Sequence, residues 1–276
     1  MQKIQAKRWR VAPRVPPPVY RRLGEFHPVM AQVLFNRGYD NAADARRFLA
    51  GEMPPVNPFQ MAGMNEAVGR IRQAIRRQEP IAVYGDFDTD GVTATALLVQ
   101  TLRALGAMVE PYIPHRVEDG YGLSGPALVQ MAHDGFRVVI TVDCGIRAVK
   151  EVHDGMAFGL DVIVTDHHSV GPELPGALAV VNPKREDCPY PEKMLAGVGI
   201  AYRLAEALLL AAKGAGEPAP ELRAEDLLDL VAIGTVADLA PLNCLENRAL
   251  VKQGLEVVNA ARRPGILALH LQAGVD

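Results

Sequence analysis

Cysteine is scarce in this chain. Cys144, Cys188 and Cys244 are odd in number, widely spaced and without any C-x-x-C pair, which leaves neither a disulfide framework nor a thiolate zinc site to expect. A reducing compartment fits that usage. Positive charge is not in excess either: 29 Lys and Arg against 32 Asp and Glu give a formal net charge of −3. No global basic field announces a polyanion partner, although local basic patches can exist beneath such an average. No uninterrupted apolar run reaches membrane-spanning length, and the basic start MQKIQAKRWRVAPR is not followed by an apolar core segment. The expectation is a cytoplasmic chain with no membrane partner. Internal repeats and heptad arrays are also missing.

What is present is enough apolar material for a core, 49% of 276 residues, in one large or two modest domains. Residues 1–20 are basic and then proline-rich (Pro13, Pro16, Pro17, Pro18) and read as an extended arm. Short helical patterns follow at 27–35 and 41–49, then a longer one at 64–77 with a basic outer face. From Ile81 the rhythm changes. Short β-branched runs at 81–85, 108–113, 137–142, 161–165 and 178–181 alternate with helical stretches at 92–105, 125–133 and 146–158, a pattern that predicts a parallel sheet covered on both faces. The expected fold is α/β, a parallel five-stranded sheet flanked by helices. A mostly helical C-terminal region follows (199–213, 225–237, 246–260), interrupted by a flexible GAGEPAP linker at 214–220.

The stretch VYGDFDTDG places Asp86, Asp88 and Asp90 at every second position after an apolar run. On an extended chain they would lie toward one side, each about 7 Å from the next, and would repel one another unless neutralised. An acidic turn capping the following helix is the plainer alternative. Their companions favour the first reading. Asp143 follows VVITV, and Asp166-His167-His168 follows VIVT, so carboxylates and imidazoles gather at the carboxyl ends of predicted strands, where open α/β sheets bind ligands. Asp238, in GTVADLAPL, supplies another carboxylate. Aspartates with one or two histidines suit Mn²⁺ or Mg²⁺, the imidazoles tilting the set toward Mn²⁺, and two such ions can share a carboxylate about 3.5–4 Å apart. Cations at those positions offset the repulsion.

These residues resemble the DHH phosphoesterase superfamily, named for a motif present here as Asp166-His167-His168, and within it the bacterial RecJ exonucleases. YGDFDTDGVTATALL, PHRVEDGYGLS, TVDCGI, VTDHHS, VNPKREDCPYP, LAGVGIAYRL and VAIGTVADLAPL stand in the expected order, and the likeness extends over essentially the whole chain, Trp9 in the N-terminal arm included. The resemblance implies that Asp88 and Asp90 bind metal, Asp143 bridges two ions, His167 is a direct ligand and Asp238 a ligand from the distal motif. Asp86 binds or orients the first ion. His168 meets the scissile phosphate or stands behind the ligands, and Asp166 orients its neighbours. The implied chemistry is phosphodiester hydrolysis with two divalent cations, Mn²⁺ preferred and Mg²⁺ possible, and with no protein nucleophile. Ser124 and Ser169 lack a G-x-S-x-G setting, and Cys144 reads as a small buried residue.

The resemblance further implies a 5′→3′ exonuclease on single-stranded DNA that releases 5′-mononucleotides in recombination and repair, with single-strand-binding protein and a RecQ-type helicase as partners. Its domains would run 1–60 (arm and short helices), 61–240 (DHH catalytic domain) and 241–276 (start of a connecting helix to a further domain). A phosphodiesterase on oligoribonucleotides or cyclic dinucleotides, or a non-catalytic scaffold, are the alternatives. Substrate contacts stay open between two readings: His115, Arg116, Lys184 and Arg185 either grip phosphate or are solvated surface charges. Tyr121 and Tyr190 either stack on bases or pack. Gly120, Gly122, Gly197 and Gly199 read as hinges or points of close approach.

Overall fold

The computed structural model describes residues 10–117, 120 and 122–274; Trp9 and Tyr121 lie outside the described residues. The chain forms two compact units, Met1–Glu52 and Met53–Asp276. The first contains three short helices, α1 (Pro17–Arg22), α2 (Pro28–Asn36) and α3 (Ala42–Ala50). The proline cluster expected to be extended instead opens α1, because a proline in a first turn gives up an N–H that has no helical partner anyway. Asn41 caps α3 by accepting from Asp44 N at 3.0 Å, and Tyr39 stacks on Phe48 at 4.5 Å.

The second unit runs α4 (Met64–Arg77), β1 (Ile81–Tyr84), α5 (Thr89–Ala104), β2 (Val109–Tyr112), α6 (Gly125–His133), β3 (Val138–Val142), α7 (Val149–Ala157), β4 (Asp161–Thr165) and β5 (Ala179–Val181). Its strands form one parallel five-stranded sheet in the order β2-β1-β3-β4-β5, as the alternation predicts. Every residue of β1 and β3 is buried because the pleat sends alternate side chains to two apolar layers. Val83, Ile140, Ile163 and Val181 join Ile71 of α4 and Leu98 of α5, while Ala82, Val139, Val162 and Val180 join Leu128 and Met131 of α6 and Val152 of α7. Each fully buried aliphatic of this kind contributes about 1.5–3 kcal/mol. Pro111 is tolerated because β2 is an edge strand.

The order has a consequence for function. From β1 the chain crosses to β2 on one side, then returns over β1 to build β3, β4 and β5 on the other. The loops after β1 and β3 therefore part at the carboxyl edge, and that divergence opens a crevice. Four further α-helices complete the unit: α8 (Gly197–Gly214), α9 (Leu228–Ala237), α10 (Leu245–Asn259) and α11 (Pro264–Ala273). The packing of α5 on α8 and α9 brings the helical region over the crevice. A buried ion pair ties it down: Arg203 Nε and Tyr190 OH each donate to Glu246 Oε1 at 2.7 Å. Tyr190 is fully buried, so of its two readings packing is the one that stands.

Candidate metal and phosphate site

The DFDTD stretch is not an extended row. The strand ends at Tyr84 and helix α5 begins at Thr89, so the three aspartates occupy three different local settings. Asp86 folds back within its own turn, accepting from Phe87 N at 2.6 Å. Asp88 is the N-cap of α5 and accepts from Gly91 N at 2.9 Å, so the capping alternative holds for this residue without removing its second oxygen from the site. Asp90 lies in the first turn, and its carboxylate accepts from Gly197 N at 2.7 Å and Val198 N at 2.8 Å at the start of α8. The tight turn needs Gly85: a Cβ there would sit 2.0 Å from Thr95 Oγ1.

Asp143 leaves β3 in the left-handed region with φ 61°, a conformation that aspartate tolerates better than most residues. Thr141 Oγ1 holds the turn by donating to Cys144 O at 2.7 Å. Backbone strain of this kind concentrates at functional sites. His167 and His168 leave β4 side by side, ring centres 4.5 Å apart. His167 Nε2 lies 3.0 Å from Asp143 Oδ1 and 3.8 Å from Asp90 Oδ2, and its Nδ1 lies 3.9 Å from Asp238 Oδ2, at the C-cap of α9. Asp166 turns away from this group. It accepts from Ile146 N at 2.9 Å and sits 2.8 Å from His168 Nδ1, which makes it an orienting residue in geometry.

Three sets of donors approach closely enough to share an ion: Asp86, Asp88 and Asp143; Asp90, His167 and Asp238; and Asp143, His167 and His168, the atoms of each set within 4.8 Å of one another. Asp143 belongs to two of them. The electrostatics show what the protein alone does not supply. Burial, with Asp88 and Asp166 nearby, pushes the Asp143 carboxyl up to about 9, and burial with Asp143 beside it pushes Asp90 up to about 7. Burial lifts Asp86 as well and lowers His167. His168 goes the other way, raised to about 9 chiefly by its hydrogen bond with Asp166. Burial pushes Asp166 upward too, but its hydrogen bonds outweigh this and hold it below the usual range.

Asp143 Oδ1 is the sharpest indicator. It is buried, and although His167 Nε2 is 3.0 Å away the alignment is not that of a hydrogen bond, so among the described residues it has no donor. A buried, unpaired carboxylate oxygen amid raised carboxyl pKa values is what a divalent cation satisfies, and oxygen with imidazole is a donor set suited to Mn²⁺ or Mg²⁺. The residues present fit such ions. Burial pushes the Cys144 thiol far above its ordinary range, which removes it as a nucleophile.

The four cationic candidates are placed unequally. Arg116 stands over the Phe87 ring at 5.0 Å, beside the Asp86–Asp88 turn, and neighbouring His115 is exposed. Arg185 turns instead to Asp187, at 2.9 and 2.6 Å, and to the Val180 carbonyl. Lys184 stands half-buried on the loop after β5. A cavity of about 400 Å³ adjoins His168 and is lined by Leu123, Ile146, Arg147 and Glu151 among others. Sequence reasoning missed Arg147, Glu151 and the α8 amides. Only the glycines of LAGVG hinted at the last of these.

Comparison with known proteins places this arrangement. A relative in Bacillus subtilis, the single-stranded-DNA-specific exonuclease RecJ, is 47% identical over 250 residues, covering 90% of this chain and 30% of the relative. The Thermus thermophilus RecJ structure in complex with Mn²⁺ superposes with TM-score 0.75 at 34% identity, covering 95% of this chain and 37% of that one. Its complex with Mg²⁺ gives 0.65 at 32% identity, covering 95% and 33%. The chain spans less than half the length of the curated relatives it matches. The family model for the DHH family, N-terminal domain, matches residues 80–235, a segment that holds every acidic and imidazole group of the three donor sets except Asp238. With the sheet order, the crevice and the motif residues all in agreement, the chain belongs to the DHH family.

Proposed function

We propose that this chain carries the catalytic part of a metal-dependent exonuclease that acts 5′→3′ on single-stranded DNA and releases 5′-mononucleotides. The observation that carries the reading is the gathering of Asp86, Asp88, Asp90, Asp143, His167, His168 and Asp238 into three donor sets linked through Asp143 and His167, with a buried Asp143 oxygen that lacks a donor among the described residues. Their similarity to RecJ proteins solved with Mn²⁺ and with Mg²⁺ supports two divalent cations, Mn²⁺ preferred. When bound, such ions acidify the attacking water and offset charge on the phosphate oxygens. Asp143, common to two donor sets, holds both positions together. Asp88 and Asp90 flank it from α5, and His167 and Asp238 close the second set. His168, kept protonated by Asp166, faces a phosphate oxygen with positive charge, and Arg116 grips a neighbouring phosphate; His115 and Lys184 extend that contact, while Arg185, paired with Asp187, stays out of it. Residues 61–240, within the unit Met53–Asp276, carry the catalytic residues. The setting is recombination and repair in the cytoplasm, beside single-strand-binding protein and a RecQ-type helicase.

The test is digestion of single-stranded DNA labelled at its 5′ end, in Mn²⁺, with products resolved by length. Labelled mononucleotide should appear first. Asp143→Ala should abolish it, whereas Asp166→Asn should leave measurable turnover. Cleavage of dinucleotides without attack on long strands, or equal loss in both variants, would refute the reading.

A further inference from the structure

We infer that Gly197, at the first turn of α8, is a positioning residue that sets the spacing and orientation of Asp90 and Asp143; the inference rests on the two-cation reading of the site. The N-cap of α8 is Ala196, which has no side chain to cap with. The first-turn N–H groups, which need acceptors in any helix, find them on α5: Gly197 N donates to Asp90 Oδ2 at 2.7 Å and Val198 N to Asp90 Oδ1 at 2.8 Å. Each oxygen keeps a second lone pair, and rotation of the carboxylate is blocked because both of its atoms are held. The same residue meets the other ligand. A Cβ at Gly197 would lie 2.7 Å from Asp143 Cβ, 2.7 Å from Oδ1 and 2.8 Å from Cγ, so only a bare Cα admits Asp143 at this distance. On α9, a Cβ at Gly234 would lie 2.3 Å from Thr93 Oγ1, 2.8 Å from Val198 Cγ1 and 3.0 Å from Asp90 Oδ1. Asp90 is thus clamped between two helices, beside the Asp143 oxygen that has no donor. One glycine serves both carboxylates, through its N–H for one and its missing side chain for the other.

The discriminating pair is Gly197→Ala against Gly199→Ala, in the full chain. At Gly199 a Cβ would meet only the Leu195 side chain, at 3.3 Å or more, so this variant makes the same chemical change on the same helix away from the carboxylates. Mn²⁺ affinity is read from the electron paramagnetic resonance of free Mn²⁺, and folding from a thermal melt in EDTA. Gly197→Ala should bind Mn²⁺ about 10–100-fold more weakly, as loss of a partner that orients ligands does, and Gly199→Ala should match the wild type. Equal affinity in a folded Gly197→Ala would overturn the inference. Should that variant fail to fold, amide resonances of the wild type decide. Adding Mg²⁺ should shift Gly197 and Val198, whose N–H groups rest on Asp90, more than Gly199 and Ile200. Unmoved Gly197 and Val198 amides would overturn it. A wild type that binds no Mn²⁺ would overturn the two-cation reading itself, before any substitution is compared.

Discussion

Replacing Asp143 by asparagine should make the metal-free chain more stable, and increasingly so as pH rises. Asparagine preserves the size of the side chain and tolerates the left-handed backbone at φ 61°, so the change is almost purely one of charge. The sign follows from linkage. The folded pKa of Asp143 is about 9, above the roughly 3.9 of an unfolded aspartate. Between these values the folded state keeps a proton that the unfolded state releases, so stability falls as pH rises through that window and levels off only above about 9. At pH 7 the interval is about 3 pH units, which at about 1.36 kcal/mol per unit sets an upper bound on the order of 4 kcal/mol. Coupling to Asp90 shares part of that cost, so the two are not summed. At about 2–4 °C per kcal/mol for a domain of this size, the variant should melt roughly 5–10 °C higher at pH 7 in EDTA. The gain should shrink to nothing near pH 4. Mn²⁺ at 1,000 times Kd should reverse the ranking, because binding then adds about 4.1 kcal/mol to a protein that holds the ion, enough to offset that upper bound, and the variant has lost the shared ligand. Thermal melts at pH 4, 5.5, 7 and 8.5, with EDTA and with Mn²⁺, test each part. A difference independent of pH, or a variant that is less stable in EDTA, would refute the account of Asp143 as a buried carboxyl whose ionisation awaits a cation.

Two further outcomes follow from other parts of the molecule. Glu246→Leu leaves the buried Arg203 guanidinium without its main partner and strands Tyr190 OH, so urea unfolding should show a loss of about 3–5 kcal/mol, while Arg203→Met with Glu246→Leu together should recover most of it. Affinity for a single-stranded oligonucleotide, followed by fluorescence anisotropy across salt, should fall with log[salt] at about −0.7 per phosphate contacted; Arg116→Ala should weaken binding and flatten that slope by about the same 0.7, and an unchanged slope would return Arg116 to the solvated surface.

Several elements were legible in the sequence because their cause is local. The five strands announce themselves through β-branched runs such as VVITV and DVIVT, and burial on both faces requires that composition. The ends of all five fall within one residue of expectation. Errors arose where a neighbour in space decides the outcome. The DFDTD stretch looks like a strand by alternation, yet Asp88 caps α5 and Asp90 lies within it, because the sheet pairing stops at Tyr84. The start of α8 at Gly197, two residues before the periodic pattern, depends on Asp90 of α5 accepting its first N–H groups. The prolines at 17 and 18 open a helix that composition alone reads as extended.

For the site, the sequence by itself determined the kinds of donor and the strand ends that carry them, since residue type and position in a βα unit are local properties. The DHH motif and its companions sufficed to name the family. Only the tertiary structure decided which donors lie close enough together to share an ion. Asp143 meets Asp88 through the crevice where the chain reverses its order, His167 meets Asp238 because α9 packs on α5, and Asp166 turns to His168 and the Ile146 amide instead of joining them. Arg185 became an internal partner of Asp187, and Tyr190 of Glu246, for the same reason. Charge and chemistry are written residue by residue, but distance between residues far apart in the chain is set by packing, and the interactions that make a metal site act across distance.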